Sequence, residues 1–292
     1  MAIEIRPLHP LIAGEVSGVD ITQPLARADV AAIEGGMDRY AVLVFRDQQL
    51  TDEQQLAFSR NFGELEFTRG TGISKPGELR LDPAFADVSN LDTNNRPLAR
   101  DNRRRLYSLG NRLWHSDSSF KAIPATYSLL SGRVVSEKGG ETEFADMRAA
   151  YDALDAATKA QIEDLVCEHS LLYSREQLGF DLTPEERVTM QPVRQRLVRA
   201  HPASGRKSLY LASHIGTIIG WPMPEARAFI RDLMEHATQP QFVHTHKWRP
   251  WDLVMWDNRQ TMHRVRRYDE SKPRDMRRTT VGGTEMTVAQ AA

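Results

Sequence analysis

Residues 251–264 read WDLVMWDNRQTMHR. Leu253 to Trp256 form a short apolar run, the kind a strand carries when both of its faces are buried. Asp257 and Asn258 then supply turn chemistry, and a second strand begins near Thr261. A residue at the start of that returning strand, such as His263, can face back into the mouth of a barrel. Working outward, IEIRPL and GEVSGVDI read as short strands near the N-terminus, and AVLVF (41–45) as a buried one. TYSLLSGRVV is strand-like, RLVRAHPASGRKSLYL is two strands around a Ser-Gly turn, and FVHTHKW and RRTTVGG are late strands.

Helices fall between these strands. Residues 28–40 suit a helix weakened by Gly35-Gly36, and Thr51 caps another, with Gln54 at the capping-box position and Gly63 as a stop. DMRAAYDAL and DAATKAQIEDLVCEH read as two short helices, the second placing Cys167 on a helical apolar face. MPEARAFIRDLMEHAT is amphipathic, with Pro224 in its first turn. Residues 64–110, rich in Gly, Pro, Asn and Asp, read as a mobile loop with short strands over the site. Strands at both ends and in the middle, without regular βαβ alternation, indicate a mainly β fold with α insertions. A jelly roll occupying residues 1–292 as one domain fits best.

Composition narrows the function. The chain is 40% hydrophobic and 26% charged, with a formal net charge of −1, so no global basic field favours nucleic acid or an anionic membrane. The basic run Arg103-Arg104-Arg105 reads as a solvated loop. One cysteine rules out an intramolecular disulfide and a Cys-rich zinc site. No secretory leader pattern and no run of about 18 apolar residues is present, which fits a reducing cytoplasm. The expected partners are a small-molecule carboxylate and further copies of this chain, with no nucleic acid and no membrane.

The chemistry-bearing motif is NRLWHSDSSF (111–120). His115 and Asp117 stand two apart, which on a strand is one face. Both types bind divalent metals when deprotonated. With His263 they make two imidazoles and one carboxylate, a set that leaves open positions and suits non-haem Fe(II) and oxygen. Among the nine histidines, His244 and His246 form a rival pair two apart, without an acid beside them in sequence. His169 and His236 fall at predicted helix ends, where capping or packing is the expected role.

A wider set of motifs carries more weight than this spacing. GEVSGVDITQPL, AVLVFRDQQLTDEQQLAFSRNFGELE, NRLWHSDSSF, GGETEFADMRAAYDAL, RAHPASGRKSLYL, WDLVMWDNRQTMHR and PRDMRRTTVGG together resemble the taurine dioxygenase and 2,4-dichlorophenoxyacetate dioxygenase family. The resemblance runs nearly end to end. It implies a double-stranded β-helix and a dependence on Fe(II), 2-oxoglutarate and O2. It also implies that His115, Asp117 and His263 ligate the metal, that Thr142 and Arg274 hold the distal carboxylate of 2-oxoglutarate, and that Trp256 borders that pocket. Arg278 falls on the arginine that takes the acidic head of the primary substrate, and Asn111 on a polar residue close to it. The chemistry suits these types, because a guanidinium grips a carboxylate bidentately where an ammonium does not. Arg274, Met276 and Arg278 alternate along one strand, so both arginines can face inward.

Within the resemblance, the loop EFTRGTGIS has neither the His nor the Tyr of the alkyl-sulfonate members nor the Lys of the phenoxyacetate members. Arg69 or Thr71 could replace that lysine. LWHSDSSF, DMRAAYDAL and EHATQ look closest to the phenoxyacetate members, and His214 falls on a histidine of theirs. Ile215, with Ile218 and Ile219, is expected to wall the pocket. The reading is hydroxylation of an aryloxyalkanoate next to its ether oxygen, giving a phenol, glyoxylate or pyruvate, succinate and CO2. The alternatives are alkyl-sulfonate oxygenation, or a non-catalytic metal-binding jelly roll that senses a small carboxylate.

Overall fold

A computed structural model describes residues 3–67 and 79–290. Its largest sheet has seven strands in the order Glu4–Pro7, Gly14–Ser17, Val42–Phe45, Leu253–Asp257, Tyr127–Val134, Asp275–Val281 and Ala86–Asp87. Gly14–Ser17 and Val42–Phe45 run parallel, and the other pairs are antiparallel. Facing it is a three-stranded sheet with Thr142–Asp146 between Val243–His246 and Thr261–Val265. Side chains from both sheets, Val254, Trp256 and Met276 from one and Phe144 from the other, share a buried cluster. This is the jelly roll that the strand pattern indicated.

The apolar runs are continuous because the large sheet is covered on both sides. Val42, Val44, Val254 and Trp256 point into the jelly-roll interior, while Leu43, Phe45, Leu253 and Met255 point the other way. There they meet Ile33 and Met37 of the helix Arg27–Tyr40 and Phe58 of the helix Asp52–Arg60. Gly36 does not weaken this arrangement but permits it: a Cβ there would lie 2.4 Å from Ile5 Cδ1 and 3.2 Å from a Leu43 methyl. Thr51 and Gln54 form the expected capping box, each side chain bonding the other's backbone N–H.

A second layer lies over the small sheet. The helix Met223–Ala237 packs Ala226, Ile230 and Leu233 onto Trp114, Ile215, Ile218 and Met262. Among the described residues, no helix is long and apolar enough to cross a membrane.

Two local expectations are corrected. The helix expected over 155–169 stops at Ile162, and Val166–His169 is a strand between Ile215–Ile218 and Val193–Arg196. Cys167 therefore sits buried on a strand, and burial pushes its thiol up to about 12, which keeps it protonated. His169 closes that strand rather than a helix. The other correction concerns 103–105. Asn102 caps a helix Arg103–Ser108 through the N–H groups of Arg104 and Arg105. Arg103 pairs with Glu186, Arg104 donates to the Leu91 carbonyl, and Arg105 pairs with Glu270, so the run ties three segments together.

Candidate metal centre and its cavities

His115 and His263 are joined through the backbone. His115 N–H donates to His263 O at 3.0 Å, and His263 N–H returns to His115 O at 2.8 Å. This isolated antiparallel bridge puts the two side chains on one side, with ring centroids 4.2 Å apart. Asp117 reaches them by a different route from the one its spacing suggested. It lies in the turn that follows the bridge, not on a strand. Asn258 holds that turn: its side-chain oxygen accepts from Asp117 N–H at 3.2 Å and its carbonyl accepts from Ser116 Oγ at 2.6 Å.

The three side chains are buried, and one ligand atom from each lies within 4.8 Å of the others. His115 Nε2 is 3.8 Å from Asp117 Oδ1, and His263 Nε2 is 3.7 Å from Asp117 Oδ2. His115 Nδ1 lies 2.8 Å from the Leu113 carbonyl, which fixes the proton on Nδ1 and leaves Nε2 bare. Burial drives both imidazoles below their ordinary pKa, so both are neutral donors. Burial alone would raise the Asp117 carboxyl. The Arg278 guanidinium, then His263 and His115, outweigh it and hold the carboxyl well below the usual carboxylate range. Two neutral imidazoles and one carboxylate, all deprotonated as metal binding requires, fit a divalent ion.

Asp117 is also held from behind. Its Oδ2 accepts from Ser128 Oγ at 2.7 Å, Ser128 accepts from Asn258 Nδ2 at 3.0 Å, and Asn258 Oδ1 accepts from Trp256 Nε1 at 3.0 Å. Ser128 and Asn258 escaped the sequence reading, since a serine in an apolar strand and an Asn in a turn both have ordinary explanations.

A narrow cavity beside the cluster is lined by Thr142, Trp256, Arg274 and Asn111. Thr142 Oγ1 accepts from Trp248 Nε1 at 3.0 Å, which leaves its own O–H free to donate into the cavity. Arg274 is buried, stacks over Tyr268 at 4.9 Å and donates to the Gly140 carbonyl at 3.3 Å. Among the described residues it meets no carboxylate. Trp248 and Tyr268 were likewise missed, because their roles lie in contacts from distant loops.

A second cavity, of about 180 Å³, opens from the metal side. Arg278, Asn111 and His214 line it with His115 and Asp117, and Phe120, Phe85 and Leu171 form its apolar walls. Arg278 Nη1 donates to Asp117 Oδ1. His214 is held neutral by burial, and its Nδ1 lies 3.0 Å from Ser174 Oγ. Ile215 is not part of this wall. It faces the opposite way, into a larger cleft of about 680 Å³ behind Leu113 and Trp114, against the helix Met223–Ala237. Ile218 is core and Ile219 is exposed. Arg69 and Thr71 lie outside the described residues.

A buried His-Asp-His cluster at the mouth of a jelly roll is the fold and site of a metal-dependent oxygenase. Residues 4–280 match the model of a family described as "Taurine catabolism dioxygenase TauD, TfdA family", and the chain belongs to that family. It is 45% identical to an alpha-ketoglutarate-dependent 2,4-dichlorophenoxyacetate dioxygenase of Cupriavidus pinatubonensis, over 96% of this chain and 98% of that one. It is 35% identical to an (S)-phenoxypropionate/alpha-ketoglutarate-dioxygenase of Sphingobium herbicidovorans, over 97% and 96% of the two chains. Among solved structures, AAD-2 in complex with Mn(II) and N-oxalylglycine is similar at a TM-score of 0.95 and 61% identity, covering 99% of this chain and 100% of that one. The protein is an iron- and 2-oxoglutarate-dependent dioxygenase.

Proposed function

We propose that the enzyme hydroxylates the carbon next to the ether oxygen of an aryloxyalkanoate such as 2,4-dichlorophenoxyacetate. The hydroxylated product is a hemiacetal, which falls apart to a phenol and glyoxylate, or pyruvate when the side chain is a propionate. One observation carries the reading: a single cavity has a guanidinium beside the metal cluster and aromatic and aliphatic walls beyond it. An acid head and an aryl tail match those two ends. The similarity to relatives named for phenoxy acids supports the same substrate class.

In this proposal His115, Asp117 and His263 hold Fe(II). Bound Fe(II), with 2-oxoglutarate and O2, supplies the oxidant: the keto acid leaves as succinate and CO2, and one oxygen atom enters the substrate. Arg274 takes the distal carboxylate of 2-oxoglutarate as a bidentate fork, and the free Thr142 O–H adds one donor. Trp256 closes the side of that pocket. Arg278 binds the substrate carboxylate, while Asn111 borders both cavities and can orient either ligand. His214, neutral and tied at Nδ1, offers Nε2 to the substrate.

We take residues 1–292 as one catalytic domain, since side chains from 115, 142, 263 and 278 meet at one site and the seven-stranded sheet joins strands from Glu4–Pro7 to Asp275–Val281. A cytoplasmic homo-oligomer is our expectation for the working enzyme.

The test is a panel of phenoxyacetate, both 2-phenoxypropionate enantiomers and taurine, read by release of phenol or sulfite. Phenol is expected, with negligible sulfite. Sulfite from taurine as the dominant product overturns the reading in favour of alkyl-sulfonate oxygenation.

A further inference from the structure

Four arginines line the substrate cavity, and three of them have acid partners: Arg80 pairs with Asp87 and Asp275, and Arg104 lies 3.8 Å from Asp87. Arg278 sits on Asp117, whereas Arg175 has no carboxylate near it among the described residues. Yet Arg175 is only 5% exposed. A buried guanidinium without a counter-ion is costly. Three neighbours hold it in place. Its Nη1 donates to Ser174 Oγ at 2.9 Å, and its guanidinium stacks over the Tyr107 ring at 4.0 Å. Gly110 leaves the room, because a Cβ there would stand 2.3 Å from Nη1 and 2.5 Å from Cζ. Among the described residues, its buried Nε has no hydrogen-bond partner. Among the described residues, the fold builds a close-fitting seat for this cation and brings no acid to it.

Neither metal nor 2-oxoglutarate explains this residue. Arg175 lines the 180 Å³ cavity with Tyr107 and Leu171, and does not border the narrow cavity that holds Arg274. We propose that Arg175 is a second anion-binding residue of the substrate cavity and selects aryloxyalkanoates that carry an anionic group, a carboxylate above all, on the aryl ring. The alkanoate end goes to Arg278 and the ring acid to Arg175. This rests on the aryloxyalkanoate reading for the end nearer the metal. It adds a second charge requirement within the same cavity.

The experiment compares phenoxyacetate with 2-, 3- and 4-carboxyphenoxyacetate and with the three ring carboxamides, which keep shape without charge. Equilibrium binding is read by tryptophan fluorescence on the full chain loaded with Mn(II) and N-oxalylglycine, so that no turnover is needed. At least one ring carboxylate should bind about tenfold to a hundredfold tighter than phenoxyacetate, the range of a charge-assisted hydrogen bond. Its carboxamide should lose most of that advantage. Arg175→Gln should remove the advantage and leave phenoxyacetate binding within about twofold. Gly110→Ala keeps the charge but displaces the guanidinium, and should remove the advantage as well. Ring carboxylates that bind no tighter than phenoxyacetate overturn the proposal in the unaltered protein, whether or not either variant folds. Equal weakening of all ligands in Arg175→Gln also overturns it, since that is the mark of a packing role. Phenol release from phenoxyacetate is measured in parallel. Its absence strikes the aryloxyalkanoate reading, whereas its presence without ring-acid preference strikes only Arg175.

Discussion

His115/Asp117 and His244/His246 are two pairs with identical spacing, and the molecule treats them in opposite ways. The first pair gains a third donor across a backbone bridge, and its carboxylate is held from behind by Ser128. The second pair stays a pair. His246 Nε2 does lie 3.2 Å from an acid, Asp252, but Asp252 is taken by Arg46 and by Arg249 N–H. His244 is half-buried beside His9. Ligand types two apart in sequence therefore make a site only where the fold brings a third donor within reach of both, and among the described residues that happens at His115, Asp117 and His263.

The strongest way to break that contrast is to remove one member of the first set. Ala at His115, Asp117 or His263 should abolish succinate formation while circular dichroism stays near wild type. Full turnover in Asp117→Ala would remove that carboxylate from the metal centre. Next comes Arg278→Ala. Substrate-coupled oxidation should disappear while slow 2-oxoglutarate decarboxylation continues, because the metal set and Arg274 are intact. Phenol release at wild-type rate would move the acid anchor elsewhere. Arg274→Lys is smaller: loss of the planar fork should raise the KM for 2-oxoglutarate about tenfold to a hundredfold, at roughly 1.5–3 kcal/mol for a charge-assisted bond. The KM for the aryl acid should barely move, and a change in the aryl-acid KM alone would assign Arg274 to the wrong ligand.

The smallest effect sharpens the comparison from the other side. Burial, then the neighbouring His246, lower His244 to about 4. The unfolded chain takes up that proton near 6.5 and the folded chain does not, so stability present above 6.5 is lost as pH falls towards 4. His244→Gln should leave turnover and iron content unchanged at neutral pH and flatten this part of the urea-midpoint profile. The effect is on the order of 1–2 kcal/mol after solvent screening. A loss of iron in this variant would mean that the second pair is a site after all.

Much of this was legible in the chain. The apolar runs at 42–45 and 253–256, the capping box at Thr51 and the jelly-roll class follow from local rules, and the structure shows them. The His-Asp-His set was legible as residue types, and its resemblance to a family named the partners. What failed was the local turn. His214 and Ile215 were both expected in the pocket, but His214 lies in a turn closed by Ile215 N–H on the Ala212 carbonyl, and Ile215 opens the strand that follows. His214 faces the metal side and Ile215 the rear cleft. The strand Val166–His169 was lost for another reason: an apolar stretch that directly follows a real helix carries no period of its own. Arg175 was passed over because an arginine in a polar stretch reads as surface. Only the packing of Gly110 and Tyr107 around it shows otherwise.

The backbone bridge between His115 and His263 has a thermodynamic consequence. Two imidazoles on flexible loops must be ordered at the moment a metal arrives, and that conformational entropy is subtracted from affinity. Here the main chain has already ordered them during folding. The metal-free protein should therefore keep its ligand geometry, and Fe(II) should bind a preformed clamp. The ion's binding free energy then appears as added resistance to unfolding that grows with metal concentration, rather than as the force that folds the domain.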